Sequence, residues 1–304
     1  MPCYFPLHAY RGKSNEVDKI KITFRRGNSW RGVKLDLPCG QCIGCRLERS
    51  RQWAVRCMHE ASLYEDNSFL TLTYDDAHLP SNLSLVKSHF QDFVKRLRKS
   101  IAPKRVRYYH CGEYGDTLGR PHYHALLFNH DFEDKKFFST RGGNTVYSSE
   151  ELSRLWPKGF AVTGGVSFDS AAYVARYIMK KVTGDFAGRH YGDRLPEYTT
   201  MSRRPGIGAG WFSKYAADVF PLDRVVVRGK ETRPPRFYDR LLQKVDRALY
   251  EKIKIDREMS CNYFVNDVLS DGRVVRVSDS STSRLAVKES VKRAEISTLM
   301  RPLG

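Results

Sequence analysis

Two histidines stand one residue apart in Arg120-Pro121-His122-Tyr123-His124-Ala125-Leu126-Leu127-Phe128, with Glu113 a short loop upstream. The apolar run around them reads as a β-strand. Side chains alternate along a strand, so both imidazoles emerge on one face. Residues 106–113 read as a second strand and residues 114–119 as a Gly-bounded turn, a hairpin that would set Glu113 beside His122 and His124. Two imidazoles and a carboxylate so placed can hold one divalent cation. The pair of histidines alone is an unspecific signal, and its meaning depends on what else the chain brings to it.

Residues 171–182 have helical periodicity. With Tyr173 at zero on a wheel of about 100° per residue, Tyr177 falls near about 40° and Lys180 near about 340°. Ala171, Val174, Ala175, Ile178 and Val182 fall between about 100° and about 200°, forming the apolar stripe. Tyrosines used for packing would sit in that stripe, and these do not, so we read them as candidate nucleophiles. A phenol with a pKa near about 10 needs activation, and positive charge from Lys180 and a neighbouring cation would favour the phenolate. Asp169 or Ser170 is expected to cap this helix.

A further group is Cys39, Cys42 and Cys45, at C-x2-C-x2-C spacing. Cys3 could complete a four-thiolate structural zinc site, with Cys57 a competing fourth ligand and an iron–sulfur cluster a weaker reading. Reduced cysteines in a turn are the plain alternative. Seven cysteines, an odd number, do not resemble a disulfide framework. No signal-peptide or transmembrane pattern is seen. A reducing cytoplasmic setting is expected.

The 304 residues carry 52 Lys+Arg against 34 Asp+Glu, a net charge of +18, which favours a polyanionic partner. Residues 95–107 hold seven of these cations and no acid, and lead into the histidine strand; a phosphate-tracking role is expected there. Gly206-Ile207-Gly208-Ala209-Gly210 lacks the Lys-Ser/Thr of a P-loop and reads as a turn, with DNA-backbone contact as the alternative. The positioning elements would be helices over 46–64 and 84–98 and strands over 69–74 and 161–168. Residues 131–160 read as an insertion or long loop, residues 1–38 as irregular or short β structure, and 238–255 and 285–300 as helical. Nothing after residue 220 suggests catalysis.

Taken in order, these motifs resemble a known family. Pro121-His122-Tyr123-His124-Ala125-Leu126-Leu127-Phe128 is similar to the H-hydrophobe-H motif of HUH rolling-circle endonucleases. Tyr173-Val174-Ala175-Arg176-Tyr177-Ile178-Met179-Lys180 resembles the Y-x3-Y-x2-K motif of their two-tyrosine members, and Phe69-Leu70-Thr71-Leu72-Thr73 resembles their first motif. With the cysteine segment and Arg203-Arg204-Pro205-Gly206-Ile207-Gly208, the chain resembles replication initiators of gokushovirus-type microviruses over roughly residues 1–240.

The resemblance implies an α+β fold with a five-stranded antiparallel sheet of ferredoxin or RRM-like type and flanking helices. We read the chain as a Cys-containing segment and basic helix (1–65), an HUH endonuclease core (66–220) and a charged, mainly helical C-terminal region (221–304). The resemblance implies Mg2+ or Mn2+ on His122, His124 and, less directly, Glu113, with Tyr173 and Tyr177 as nucleophiles and Lys180 beside them. The activity would be nicking one strand of viral DNA at an origin, leaving a 5′-phosphotyrosine and a free 3′-OH, and later rejoining the displaced strand. Partners would be single- and double-stranded viral DNA and a host helicase and polymerase, in the host bacterial cytoplasm and without a membrane. Rival readings are a transposase or relaxase of the same superfamily, or a non-catalytic zinc-bound DNA-binding protein. Arg176 stands before the second tyrosine, where related initiators often have Lys.

Overall fold

A computed structural model describes residues 3–13, 21–115, 118–141, 143–176, 181–182, 184–260, 264–268 and 272–297. Two units result: residues 1–48 with 260–300, and residues 49–259 with 301–304. The first unit begins with β1 (Leu7–Gly12), which pairs antiparallel with β2 (Ile22–Thr23) and β3 (Ser29–Leu37). Helix α1 (Ile43–Ala61) then crosses the boundary between the units.

The second unit is built on β4 (Asn67–Thr73), α2 (Lys87–Ser100), β5 (Arg107–Tyr114), β6 (Pro121–Phe128), β7 (Lys136–Arg141), β8 (Asn144–Ser148), α3 (Glu150–Leu155), β9 (Ala161–Gly165), α4 (Phe168–Arg176), α5 (Phe186–Tyr191) and β10 (Tyr198–Met201). After these come α6 (Ala209–Val219), the hairpin β11 (Val225–Val227) and β12 (Lys230–Thr232), α7 (Arg236–Val245) and α8 (Arg247–Met259). The chain then returns to the first unit for the hairpin of β13 (Phe264–Val268) and β14 (Val274–Ser278) and for α9 (Thr282–Ser297).

The fold is α+β with antiparallel sheets. The main sheet has seven strands in the order β10-β5-β6-β4-β9-β8-β7, where the resemblance implies five. The excess comes from residues 131–160, which are not a loop: they form the β7–β8 hairpin and α3. Phe137 and Phe138 are adjacent, between Lys136 and Ser139, and so show no two-residue period in sequence; the register shifts between Phe137 and Ser139, and the hairpin is held by pairing of β8 to β9 at Val146–Gly164 and Tyr147–Thr163.

Alternation along β4, β5 and β6 sorts their side chains onto two faces. Leu70, Leu72, Tyr123, Ala125 and Leu127 pack with Phe90, Phe93 and Leu97 of α2 and Leu152 and Leu155 of α3. Phe69, Tyr109, Cys111, Leu126 and Phe128 pack on the other side with Ala54 and Cys57 of α1 and Ala171, Val174 and Ala175 of α4. Removing such side chains from water is the main stabilising term for both layers. Cys57 is thus a fully buried core residue, with burial raising its thiol pKa, and is no ligand of the cysteine group.

Candidate nuclease centre and cysteine cluster

The β5–β6 register sets Glu113 directly opposite His122 and Cys111 opposite His124. On the other side of β6, β4 sets Thr73 opposite His122 and Thr71 opposite His124. All six project from the face that carries α1 and α4.

His124 is buried, with its Nε2 2.8 Å from Glu113 Oε1 and its Nδ1 3.0 Å from Thr71 Oγ1. A threonine hydroxyl both donates and accepts, so Thr71 serves either imidazole tautomer and fixes the ring plane. His122 Nδ1 lies 2.7 Å from the carbonyl oxygen of Arg120 and must donate to it, which leaves Nε2 with the lone pair. Burial, then the neighbouring His124, holds the His122 pKa below its usual value, keeping the ring in the neutral form that binds metals. Arg120 is in turn fixed by Asp76 Oδ1 at 2.7 Å and the Tyr74 carbonyl at 3.0 Å. Glu113 and His124 are in direct contact, while His122 stands beside them with its Nδ1 tied to the chain. Two imidazoles and a carboxylate are donor types that divalent ions take, and each His is supported through its second nitrogen.

Helix α4 carries the tyrosine. Its first turn is closed by a reciprocal pair: Ser170 N donates to Ser167 Oγ at 3.1 Å and Ser167 N to Ser170 Oγ at 2.8 Å. The cap is therefore Ser167, one turn before the expected Ser170 and two residues before Asp169, which instead pairs with Arg228. Ser50 of α1 donates to the Ala172 carbonyl at 3.3 Å. Tyr173 is not turned to solvent. Its ring stands edge-on to His124, centroids 5.2 Å apart at 84°, and edge-on to Phe69 at 6.3 Å. It is half-buried and packs at the margin of the apolar layer under α4, against Phe69, although it lies outside the apolar stripe of its helix. Tyr177 and Lys180 lie outside the described residues, and the helix expected to reach Val182 does not do so, since residues 181 and 182 are outside helix.

Sequence reasoning missed Thr71. Its only signal was position: it shares its strand face with Phe69 and Thr73, and becomes informative once β4 is known to lie next to β6.

The basic run 95–107 is partly spent on structure. Arg107 Nε lies 2.5 Å from buried Glu60, Arg107 Nη2 bonds the Pro205 carbonyl, Arg96 bonds the Leu155 carbonyl, and Lys104 pairs with Asp66. The glycine-rich loop is structural as well. Gly208 N donates to Glu60 Oε2 at 2.7 Å, and Gly208 has φ +81, with room for no side chain because a Cβ would lie 2.6 Å from Tyr238 Oη.

In the first unit, one sulfur from each of Cys3, Cys39, Cys42 and Cys45 lies within 4.8 Å of all the others. Among the described residues this is the group of ligand side chains that converges so closely. Tetrahedral zinc with bonds of about 2.3 Å sets sulfurs about 3.8 Å apart, so small adjustments would close the site. Backbone amides already point at sulfur: Tyr4 N at Cys42 Sγ (3.4 Å), Cys39 N at Cys3 Sγ (3.3 Å) and Cys42 N at Cys39 Sγ (3.3 Å). Burial raises the Cys42 thiol, but the Tyr4 amide and hydrogen bonds from Cys45 and Cys39 outweigh it and leave the pKa at about 7. The cluster can hold a metal ion such as zinc.

The family described as replication-associated protein ORF2/G2P matches residues 67–182, which include Thr71, Glu113, His122, His124 and Tyr173. Replication-associated protein VP4 of Bdellovibrio phage phiMH2K is 40% identical over 210 residues, covering 66% of this chain and 65% of that protein. Replication-associated protein ORF2 of Spiroplasma virus 4 is 32% identical over 284 residues, covering 85% of this chain and 86% of that protein. Replication-associated protein ORF4 of Chlamydia phage 1 is 31% identical over 237 residues, covering 75% and 57%. The chain thus spans just under two thirds of the phiMH2K protein's length. No solved structure matches.

Proposed function

This chain belongs to the family of phage replication-associated proteins, the microvirus-type replication initiators, and we propose that it starts rolling-circle replication by nicking one strand of viral DNA. The observation that carries this reading is Tyr173 edge-on to His124, whose Nε2 contacts Glu113. It joins a potential nucleophile to a potential metal ligand across 49 residues of sequence. The five strands β10-β5-β6-β4-β9, with the β7–β8 hairpin set aside, correspond in our reading to the sheet of HUH endonucleases.

Mg2+ or Mn2+ bound by Glu113, His122 and His124 would polarise the scissile phosphate and offset charge on its oxygens. Tyr173 or Tyr177 supplies the nucleophile. A phenol oxygen forms a bond to phosphorus as the P–O3′ bond breaks, and the phenol's proton is balanced by one gained at O3′. One phosphoester replaces another, so the bond energy is kept for rejoining. Lys180 is assigned to favour the phenolate, and Thr71 and the Arg120 carbonyl hold the two imidazoles in plane. The second tyrosine, four residues away in sequence, would cut the next copy of the origin while the first holds the 5′ end. The free 3′-OH would be extended by a host polymerase with a host helicase, in the bacterial cytoplasm. No helix among the described residues is long and apolar enough to cross a membrane. We assign structural zinc to the four cysteines.

Incubation with single strands covering the viral genome and Mn2+ should give an SDS-resistant protein–DNA adduct. The adduct should vanish in Tyr173→Phe/Tyr177→Phe, and cleavage should vanish in His122→Ala/His124→Ala with much of the salt-sensitive DNA binding kept. An adduct that survives loss of both tyrosines would sink the mechanism.

A further inference from the structure

A cavity of about 560 Å³ opens in the second unit between α1, α7 and the start of α8. None of Glu113, His122, His124 or Tyr173 lines it. Four guanidiniums do: Arg49, Arg236 and Arg240 are exposed at the rim, and Arg56 is buried at the floor. The acid in the lining, Asp239, is committed elsewhere, its two oxygens 2.9 and 3.0 Å from Arg257. Arg49, Arg56 and Arg240 therefore give the cavity a positive lining that Asp239 does not offset.

Arg56 is the unusual member. Its guanidinium carbon lies 3.9 Å from the ring centroid of Trp53 and 3.9 Å from that of Phe237, a cation held between two aromatic faces. Its Nε donates to the Ile207 carbonyl at 3.0 Å. Among the described residues no carboxylate pairs with it; Glu60, one turn further along α1, is spent on Arg107 and the Gly208 amide. A buried charge without a counter-charge is costly, and burial pulls this arginine's pKa down to about 10. An anion in the cavity would relieve that cost.

The shape of the site says which part of a nucleic acid it suits. Trp53 has one face covered by Arg56 and the other by Tyr109, centroids 4.8 Å apart, so it offers no platform for a base. The available groups are guanidinium forks, which match the oxygens of a phosphate. We infer that this cavity is a second DNA-contact site, one that grips the sugar–phosphate backbone of the strand outside the point of cleavage. The inference rests on the reading of the chain as a DNA-nicking initiator. Such a grip would be independent of base sequence and would set where the strand enters the centre.

The test is equilibrium binding of a fluorescein-labelled, mixed-sequence single strand of about 30 nucleotides, without divalent metal, over a range of KCl. Arg49→Gln/Arg240→Gln removes two exposed cations of the lining and should weaken binding about tenfold, with a log–log salt slope shallower by about 1.4, two contacts at about 0.7 each. The charge-matched control Arg154→Gln/Lys214→Gln, at two exposed positions outside the cavity, should change affinity by less than about twofold. Equal losses in both double variants, or none in the rim variant, would overturn the inference while leaving the nicking mechanism standing. A wild-type protein that does not bind the strand would sink both. In parallel, dAMP and inorganic phosphate are titrated by thermal shift. If dAMP stabilises the wild type through Arg49 and Arg240 while strand binding ignores them, the cavity is a free-nucleotide site and the DNA assignment falls.

Discussion

Replacing Thr71 with valine tests the metal centre at an atom that touches no substrate. Valine keeps the β-branched shape that suits a strand, so β4 should retain its pairing with β6 and with Val162 of β9. What is lost is one hydrogen bond, 3.0 Å from Thr71 Oγ1 to His124 Nδ1. With a cation on the opposite nitrogen, Nδ1 carries the proton and becomes a stronger donor, so a buried donor would be left unmet at a cost of about 1–3 kcal/mol. That corresponds to a loss of roughly 10- to 100-fold in metal affinity, the range seen when the groups supporting metal-bound histidines are removed. The assay is nicking of an origin strand against Mn2+ concentration, with calorimetric Mn2+ binding as an activity-free check. Thr71→Val should raise the half-saturating Mn2+ by that factor, with the maximal rate at saturating metal changing much less. Thr71→Ser, which restores the hydroxyl, should recover most of the affinity. A valine variant with wild-type Mn2+ dependence and an intact fold would refute the assignment of His124 as a ligand held by Thr71.

Glu60→Ala removes the carboxylate shared by Arg107 and the Gly208 amide and leaves a largely buried guanidinium unmatched; the loss should be about 3–5 kcal/mol in urea unfolding, and a change below about 1 kcal/mol would show that the pair is dispensable. For the cysteine cluster, mass spectrometry of protein purified without added zinc should find about one zinc per chain, and none in Cys39→Ser/Cys42→Ser. A metal-free wild type with a fully folded first unit would remove the zinc assignment.

The histidine strand was legible because a two-residue period and a tight turn are local properties, and they place Glu113 opposite His122 without further information. The cysteine group was legible in part. Three ligands are adjacent in sequence, but the choice of Cys3 over Cys57 depends on which side of a helix faces a core, and Cys57 shares the apolar face of α1 with Ala54. The extra hairpin was hidden because residues 136–148 are exposed or half-buried along most of their length and show no clean alternation. The glycine loop and the basic run failed differently. Both contain residues common in phosphate sites, yet here Gly208 is needed for its positive φ and Arg107 for its ion pair with Glu60. Composition could not distinguish an arginine that holds a loop from one that waits for a phosphate. The partner decides, and the partner was 47 residues away.

Helix α1 is where these observations meet. From Arg49 onward it offers Ser50 to the Ala172 carbonyl, Trp53 to the ring of Tyr109, Arg56 to the Ile207 carbonyl, and Glu60 to Arg107 and Gly208. Spacings of three to four residues keep these groups on related faces, where all reach the layer that covers the histidine side of the sheet. Tyr173 follows Ala172, so it is located from two directions: by Ser50 through the backbone and by His124 and Phe69 through its ring. On the proposed mechanism, a tyrosine that has to meet phosphorus at about 3–3.5 Å gains more from such a double constraint than from any single strong contact. The polar groups on α1 cost desolvation, and an apolar helix would pack the same sheet more cheaply. What the polar version adds is a fixed position along the helix axis, which apolar packing defines weakly. On this reasoning, Ser50→Ala should leave metal binding unchanged and slow adduct formation, and equal loss of both would place the role of Ser50 in folding alone.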